Sequence, residues 1–324
     1  MNARRRLIPT AVVTALGLAA LSACSSDSGS DTASAAGNTD KFDVVASFYP
    51  MQFLAEQIGG DHVNVSTLTE PGQEPHDLEI SAKQTAALQE SDAVLYLKTL
   101  QPAVDEAVEQ SGVKTKIDAA TLTKLEDHGE TGHAHEGEEE HAEEEHAEEE
   151  SALDPHVWLD PVKYAEVAEG VGAALEKADP DNAADYKKNT AALVAKLNTL
   201  NTDFEDGLKN TDTKVFFTNH SAFGYLAERY GLTQESISGL DPETEPSAAR
   251  IKELQTEAKA DGVTTVFYET LVSDKTAKTL ADDAGLKTDV LDPLEGITDK
   301  SKGDDYFGVM QANLTALEKA LGAK

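Results

Sequence analysis

Residues 43–69 read DVVASFYPMQFLAEQIGGDHVNVSTLT. DVVASF, from Asp43 to Phe48, is a β-rich run. PMQFLAEQIGG reads as a helix stopped by Gly59 and Gly60, because a residue without a Cβ takes the backbone conformations that end a helix. HVNVSTLT, from His62, is a second β-rich run. Strand, helix and strand in so short a span point to a parallel sheet, in which a crossover returns the chain to the same edge.

The alternation continues outward. SAKQTAALQES reads as a helix, AVLYL as a third strand, QPAVDEAVEQSG as a helix and KTKIDA as a fourth strand. After an interruption, DPHVWLDP leads into a helix that ends before Pro180. The stretch 181–208 then carries Leu193, Leu197, Leu200 and Phe204 at spacings of three and four, the apolar face of a long helix. Beyond it the design repeats. KVFFTNH, TQESI, VTTVFYE and KTDVLD read as strands, each followed by a helical stretch, the last being DDYFGVMQANLTALEKALG. The predicted fold is α/β with two lobes, each a mostly parallel four-stranded sheet flanked by helices, joined by one long backbone helix. The lobes fall at 42–178 and 210–324, and the linking helix at 179–209.

The 324 residues suffice for two such lobes, and 40% hydrophobic content can fill their cores. A formal charge of -33 excludes a nucleic-acid binder driven by phosphate contacts and favours cationic partners. The chain begins MNARRRLIPTAVVTALGLAALSAC, a basic start, a short apolar stretch and small residues before Cys24. That is the pattern of a secretion signal, here residues 1–23. LSAC resembles the lipobox of bacterial lipoproteins, which implies lipid on the Cys24 sulfur and cleavage just before it. Cys24 is the only cysteine, so no disulfide can form within the chain. Residues 24–41, rich in Ser, Gly and Asp, read as a flexible tether.

Residues 126–150 break the α/β pattern. The run HAHEGEEEHAEEEHAEEE, from His133 to Glu150, offers no apolar face to bury, and the segment reads as a disordered acidic loop. Its histidines are His128, His133, His135, His141 and His146. Their irregular spacing suits an auxiliary metal-gathering loop rather than one preformed tetrahedron, and His133 with His135 is the best local chelator. A solvated acidic spacer is the competing reading.

In open α/β sheets, ligands bind outside the carboxyl ends of the strands. Four metal-capable side chains fall there. His76 lies in EPGQEPHDLE after the second strand, and His156 in DPHVWLDP between two stiffening prolines. His220 ends KVFFTNH, and Asp292 ends TDVLD. Three imidazoles and a carboxylate suit tetrahedral zinc. Asp292, before Pro293, could equally initiate a turn. Outside the acidic tract the chain has four histidines, and the fourth, His62, reads as surface decoration.

The segments EPHDLEISAKQ, DPHVWLDP, FFTNHSAFGYLAERYGL, GLDPETEPSAARIKEL and VLDPL, in this order around an acidic His-rich insertion, resemble the zinc-binding solute-binding proteins of bacterial ABC importers. The resemblance implies two lobes on a rigid helix, a metal in the cleft between them, and delivery to a membrane permease and its ATPase. It implies a non-enzymatic monomer held by lipid at the outer face of the membrane. Zn2+ is the implied cargo. The family histidines map onto His76, His156 and His220. The fourth position maps onto Asp292, where relatives use Asp, Glu or water, and Glu269 in VFYET is a lesser candidate expected nearer the cleft wall. PETEPSAAR and the tail of LDPLEG depart from the commoner family forms. Manganese-binding relatives tend to carry a carboxylate where His220 stands, and imidazole there shifts preference from Mn(II) toward Zn(II). An exported zinc hydrolase would need an open position for water and a base such as Glu269, and no H-E-x-x-H is present. A surface adhesin using zinc structurally is a third class.

Overall fold

The computed structural model describes residues 41–128 and 153–324. The expected signal and Cys24, the tether up to residue 40, and His133, His135, His141 and His146 lie outside them. Among the described residues, no helix is long and apolar enough to cross a membrane.

The opening run becomes β1 (Phe42–Ala46), α1 (Tyr49–Gly59) and β2 (Val63–Thr67). Pro50 stands in the first turn of α1, where its missing N–H has no helical partner to lose. Gly60 ends the helix at φ 55, a conformation that a Cβ would disfavour. Then follow α2 (Ala82–Glu90), β3 (Ala93–Tyr96), α3 (Pro102–Gln110) and β4 (Thr115–Asp118). Ser81 and Gln84 cap α2 reciprocally, each side chain accepting from the other's backbone N–H. The strands pair in the order β2-β1-β3-β4, all parallel, with Val44 opposite both Val65 and Ala93.

Two helices follow, α4 (Pro161–Ala178) and α5 (Ala183–Leu208). The second lobe is built from β5 (Val215–Thr218), α6 (Gly224–Arg229), β6 (Thr233–Ser236), α7 (Ala248–Ala260), β7 (Thr265–Tyr268), α8 (Lys275–Ala284), β8 (Lys287–Val290) and α9 (Tyr306–Leu321). Its sheet repeats the first, in the parallel order β6-β5-β7-β8. In each sheet the chain reverses its direction of travel between the two central strands, β1 and β3 or β5 and β7. The crevice at that reversal is where α/β sheets take their ligands.

The helix α5 runs about 39 Å at 1.5 Å per residue. Along that length it packs on α1 and α4 and also on α9 of the second lobe. Its buried face is Tyr186, Thr190, Leu193, Leu197, Leu200, Phe204 and Leu208, which includes the four positions spaced at three and four in the sequence. One apolar cluster runs from Val44, Phe48 and Trp158 through Leu197 and Phe204 to Phe216, Tyr306 and Leu314. The two sheets therefore share a continuous core. The hydroxyl of Tyr306 donates to the Trp158 carbonyl at 2.7 Å, and the Trp158 indole N–H donates to the Pro293 carbonyl at 2.7 Å. The Arg229 guanidinium grips the buried Asp160 carboxylate, its Nη2 at 2.6 Å from Oδ2.

Candidate metal centre

His220 follows β5 by two residues. Thr218 Oγ1 and Gln234 Nε2 donate to the His220 carbonyl at 2.7 and 2.9 Å, which turns the chain out of the strand and sends the imidazole into the crevice. Behind the ring, Glu269 at the end of β7 sets its Oε1 2.6 Å from His220 Nδ1. His156 is fixed in the same way. Asp154 Oδ1 accepts the His156 backbone N–H at 2.9 Å and lies 2.7 Å from its Nδ1. Both rings thus keep Nδ1 occupied by a carboxylate and turn Nε2 inward, the outer-sphere arrangement that orients a metal-binding histidine. His76 enters from the loop between β2 and α2. Its side chain is 11% exposed, whereas His156 and His220 are fully covered.

The three Nε2 atoms converge on a single oxygen. Glu295 Oε1 lies 3.2 Å from His76, 3.3 Å from His156 and 3.5 Å from His220, and the Nε2 atoms of His156 and His220 are 3.4 Å apart. Ligands at zinc-like bond lengths near 2.05 Å in a tetrahedron stand about 3.3 Å from one another. Four of the six edges of the His76, His156, His220 and Glu295 group sit at that spacing, and all its ligand atoms lie within 4.8 Å of one another.

The carboxylate expected from the sequence, Asp292, is not in this group. Its Oδ1 accepts the Leu294 backbone N–H at 2.9 Å and its Oδ2 the Thr270 hydroxyl at 3.3 Å. Its backbone is clasped on both sides by the Asn313 amide, which accepts from the Asp292 N–H and donates to its carbonyl. Asp292 is a turn-maker, the other reading its place before Pro293 allowed. The turn carries Leu294 at φ 59, and this brings Glu295 to the histidines instead. Sequence reasoning overlooked Glu295 because it stands three residues beyond Asp292, where the sequence ends the strand, and across a proline. The available signal was a second carboxylate in LDPLEG. Glu269 lies behind His220, and His62 is engaged at the surface by Asp185 at 2.9 Å. His128, grouped in the sequence with the acidic tract, lies against the folded body beside Asp154 and Glu228.

The electrostatics are those of a cation site. Burial raises the pKa of Glu295, but three imidazoles outweigh that and hold it well below the usual carboxylate range. Burial lowers His156 and His220, yet Asp154 and Glu269 respectively, with Glu295, lift both above an ordinary imidazole. Glu295 Oε2 is buried without a hydrogen-bond partner, a cost that a bound cation would offset.

Known proteins share this architecture. The chain is 39% identical over 310 residues to the high-affinity zinc uptake system protein ZnuA of Bacillus subtilis, covering 94% of each. It is 38% identical over 294 residues to the zinc-binding lipoprotein AdcA of Streptococcus pneumoniae, covering 86% of this chain and 56% of that one, so it spans only about half of the streptococcal relative. The crystal structure of the Zn(II)-bound ZnuA-like domain of that AdcA superposes with a TM-score of 0.70 at 35% identity, over 87% of this chain and 99% of the domain. Residues 44–320 match the family described as zinc-uptake complex component A, periplasmic, and the chain belongs to that family.

Proposed function

We propose that this protein captures Zn2+ outside the cytoplasm and hands it to the permease and ATPase of an ABC importer. His76, His156, His220 and Glu295 are the ligands in this reading. The observation that carries it is the convergence of three Nε2 atoms on one buried carboxylate oxygen at tetrahedral spacing. Three imidazoles and one carboxylate form a borderline-soft set that suits Zn(II) above Mn(II), which prefers oxygen ligands. With four protein ligands the site is closed, as suits a carrier that holds its ion without chemistry. Glu269, the residue a hydrolase would need as base, has Oε1 engaged by His220 Nδ1.

His76 is the ligand nearest solvent and belongs to a loop, so entry and release run through it. A lipid on Cys24 would keep the protein beside its permease. Competition titration of the metal-free protein with Zn2+ and Mn2+ tests the assignment. Zinc is expected to displace manganese at equal concentration, and manganese holding the site against zinc would overturn it.

A further inference from the structure

Where the chain leaves the first sheet toward the acidic tract, a second group of ligands gathers outside the buried centre. The Nε2 of His128 lies 3.0 Å from Glu228 Oε2 on α6, and Glu126 stands with them, all ligand atoms within 4.8 Å of one another. Glu126 and Glu228 bring carboxylate oxygens within 4.8 Å of each other, an approach of two like charges that a cation between them would relieve. The other face of His128 is already prepared. Its Nδ1 lies 2.9 Å from Asp154 Oδ2, while Asp154 Oδ1 holds Nδ1 of His156. One fully buried carboxylate therefore orients two imidazoles, and each turns Nε2 away from it toward a separate group of ligands.

The surroundings hold this arrangement in place. The Tyr225 ring packs edge-on against His128 at 4.3 Å, and its hydroxyl accepts from the Glu126 N–H and donates to the Asp154 carbonyl, both at 2.7 Å. At Gly224 an added Cβ would stand 2.6 Å from His128 Cβ and 2.8 Å from Asp154 Oδ2, so the helix can approach only as glycine. Unlike the buried centre, the group reaches solvent, with the Glu228 side chain 61% exposed.

We propose that Glu126, His128 and Glu228 form a second, weaker zinc-type divalent-cation site at the rim, sharing with the buried centre the carboxylate of Asp154. It rests on the zinc-capture reading only in the choice of metal. One imidazole and two carboxylates leave a coordination position for water, so the ion exchanges more readily than one held by four protein ligands. The competing arrangement has Lys163, 3.3 Å from Glu126, and a protonated His128 neutralising the carboxylates unaided.

The test uses Zn2+ and the full chain with His133, His135, His141 and His146 replaced by alanine, which removes these histidines and leaves residues 41–128 and 153–324 unchanged. Equilibrium dialysis is expected to load two ions, of which a chelating competitor strips the weaker first. Adding Glu228→Gln, or His128→Ala with Glu228→Gln, is expected to remove one equivalent while the tight ion persists and reports an intact fold. A parent that binds the tight ion alone, or a variant that keeps both, overturns the rim site. Loss of the tight ion from the parent contradicts zinc capture at the buried centre instead.

Discussion

Leu294 carries φ 59, and that backbone angle decides which carboxylate meets the histidines. A leucine in the left-handed region costs on the order of 1–2 kcal/mol. Asp292 Oδ1 holds it there by accepting its N–H. Glu295→Gln is therefore expected to weaken zinc binding by more than the roughly 10–100-fold typical of an outer-sphere change. Asp292→Asn keeps an acceptor for Leu294 and is expected to leave affinity nearly unchanged, and competition with a chromogenic chelator reads both. The three histidines were legible because each stands near a predicted strand end or between prolines. Glu295 was not, because its approach depends on a leucine adopting an angle that the residue type disfavours. Protons compete for the same ring nitrogens. With His156 and His220 held above their ordinary value of 6.5, apparent affinity is expected to fall about tenfold per pH unit for each proton that zinc must displace. For the metal-free fold the sign runs the same way. A raised histidine contributes stability that is present below 6.5 and is lost as pH rises through its higher folded value, while depressed Glu295 contributes above 4.5 and loses this only in acid. The gain in melting temperature on adding zinc should thus grow from about pH 5.5 to about pH 8, and a flat profile would contradict the ligand set.

Among the described elements, α4 and α5 make the most extensive helix contact, and glycine permits it. A Cβ on Gly172 would fall 2.2 Å from Thr190 Oγ1, and that hydroxyl cannot easily turn away because it donates to the Tyr186 carbonyl at 2.8 Å. Alanine gains about 1 kcal/mol of helix propensity over glycine, whereas overpacking costs about 1–3 kcal/mol. With a clash this short the steric cost wins. Gly172→Ala is expected to lower the denaturant midpoint, and Gly112→Ala, where nothing lies within 4 Å, should not. The βα alternation and the buried face of α5 could be read from periodicity. Ends of elements could not. KVFFTNH is strand only from Val215 to Thr218, and SAFGYLAERYG is helix only from Gly224 to Arg229, because hydrogen bonds from Thr218 and Gln234 to the His220 carbonyl end the strand early. Such side-chain bonds between separate elements leave no periodic trace in sequence.

Taken whole, the molecule has two sheets joined by one shared apolar cluster, and this limits how it can respond to its ion. A wide hinge would tear the Trp158, Tyr306 and Pro293 bonds and expose the apolar cluster that passes from Phe48 through Leu197 to Leu314. Small tilts and movement of the His76 loop keep them. Spin labels on α2 and α7 are expected to show nearly the same separation with and without zinc, and a domain-scale opening would contradict the shared core. The acidic tract was legible as composition, but the place of His128 on the folded body depends on Asp154, Gly224 and Glu228 meeting from distant positions. The central claim is one high-affinity zinc held by the buried imidazoles, and metal stoichiometry of the His76, His156 and His220 triple alanine variant tests it most directly. The wild-type chain should retain one tightly bound zinc against a strong chelator and the variant none; tight zinc persisting in the variant would contradict it.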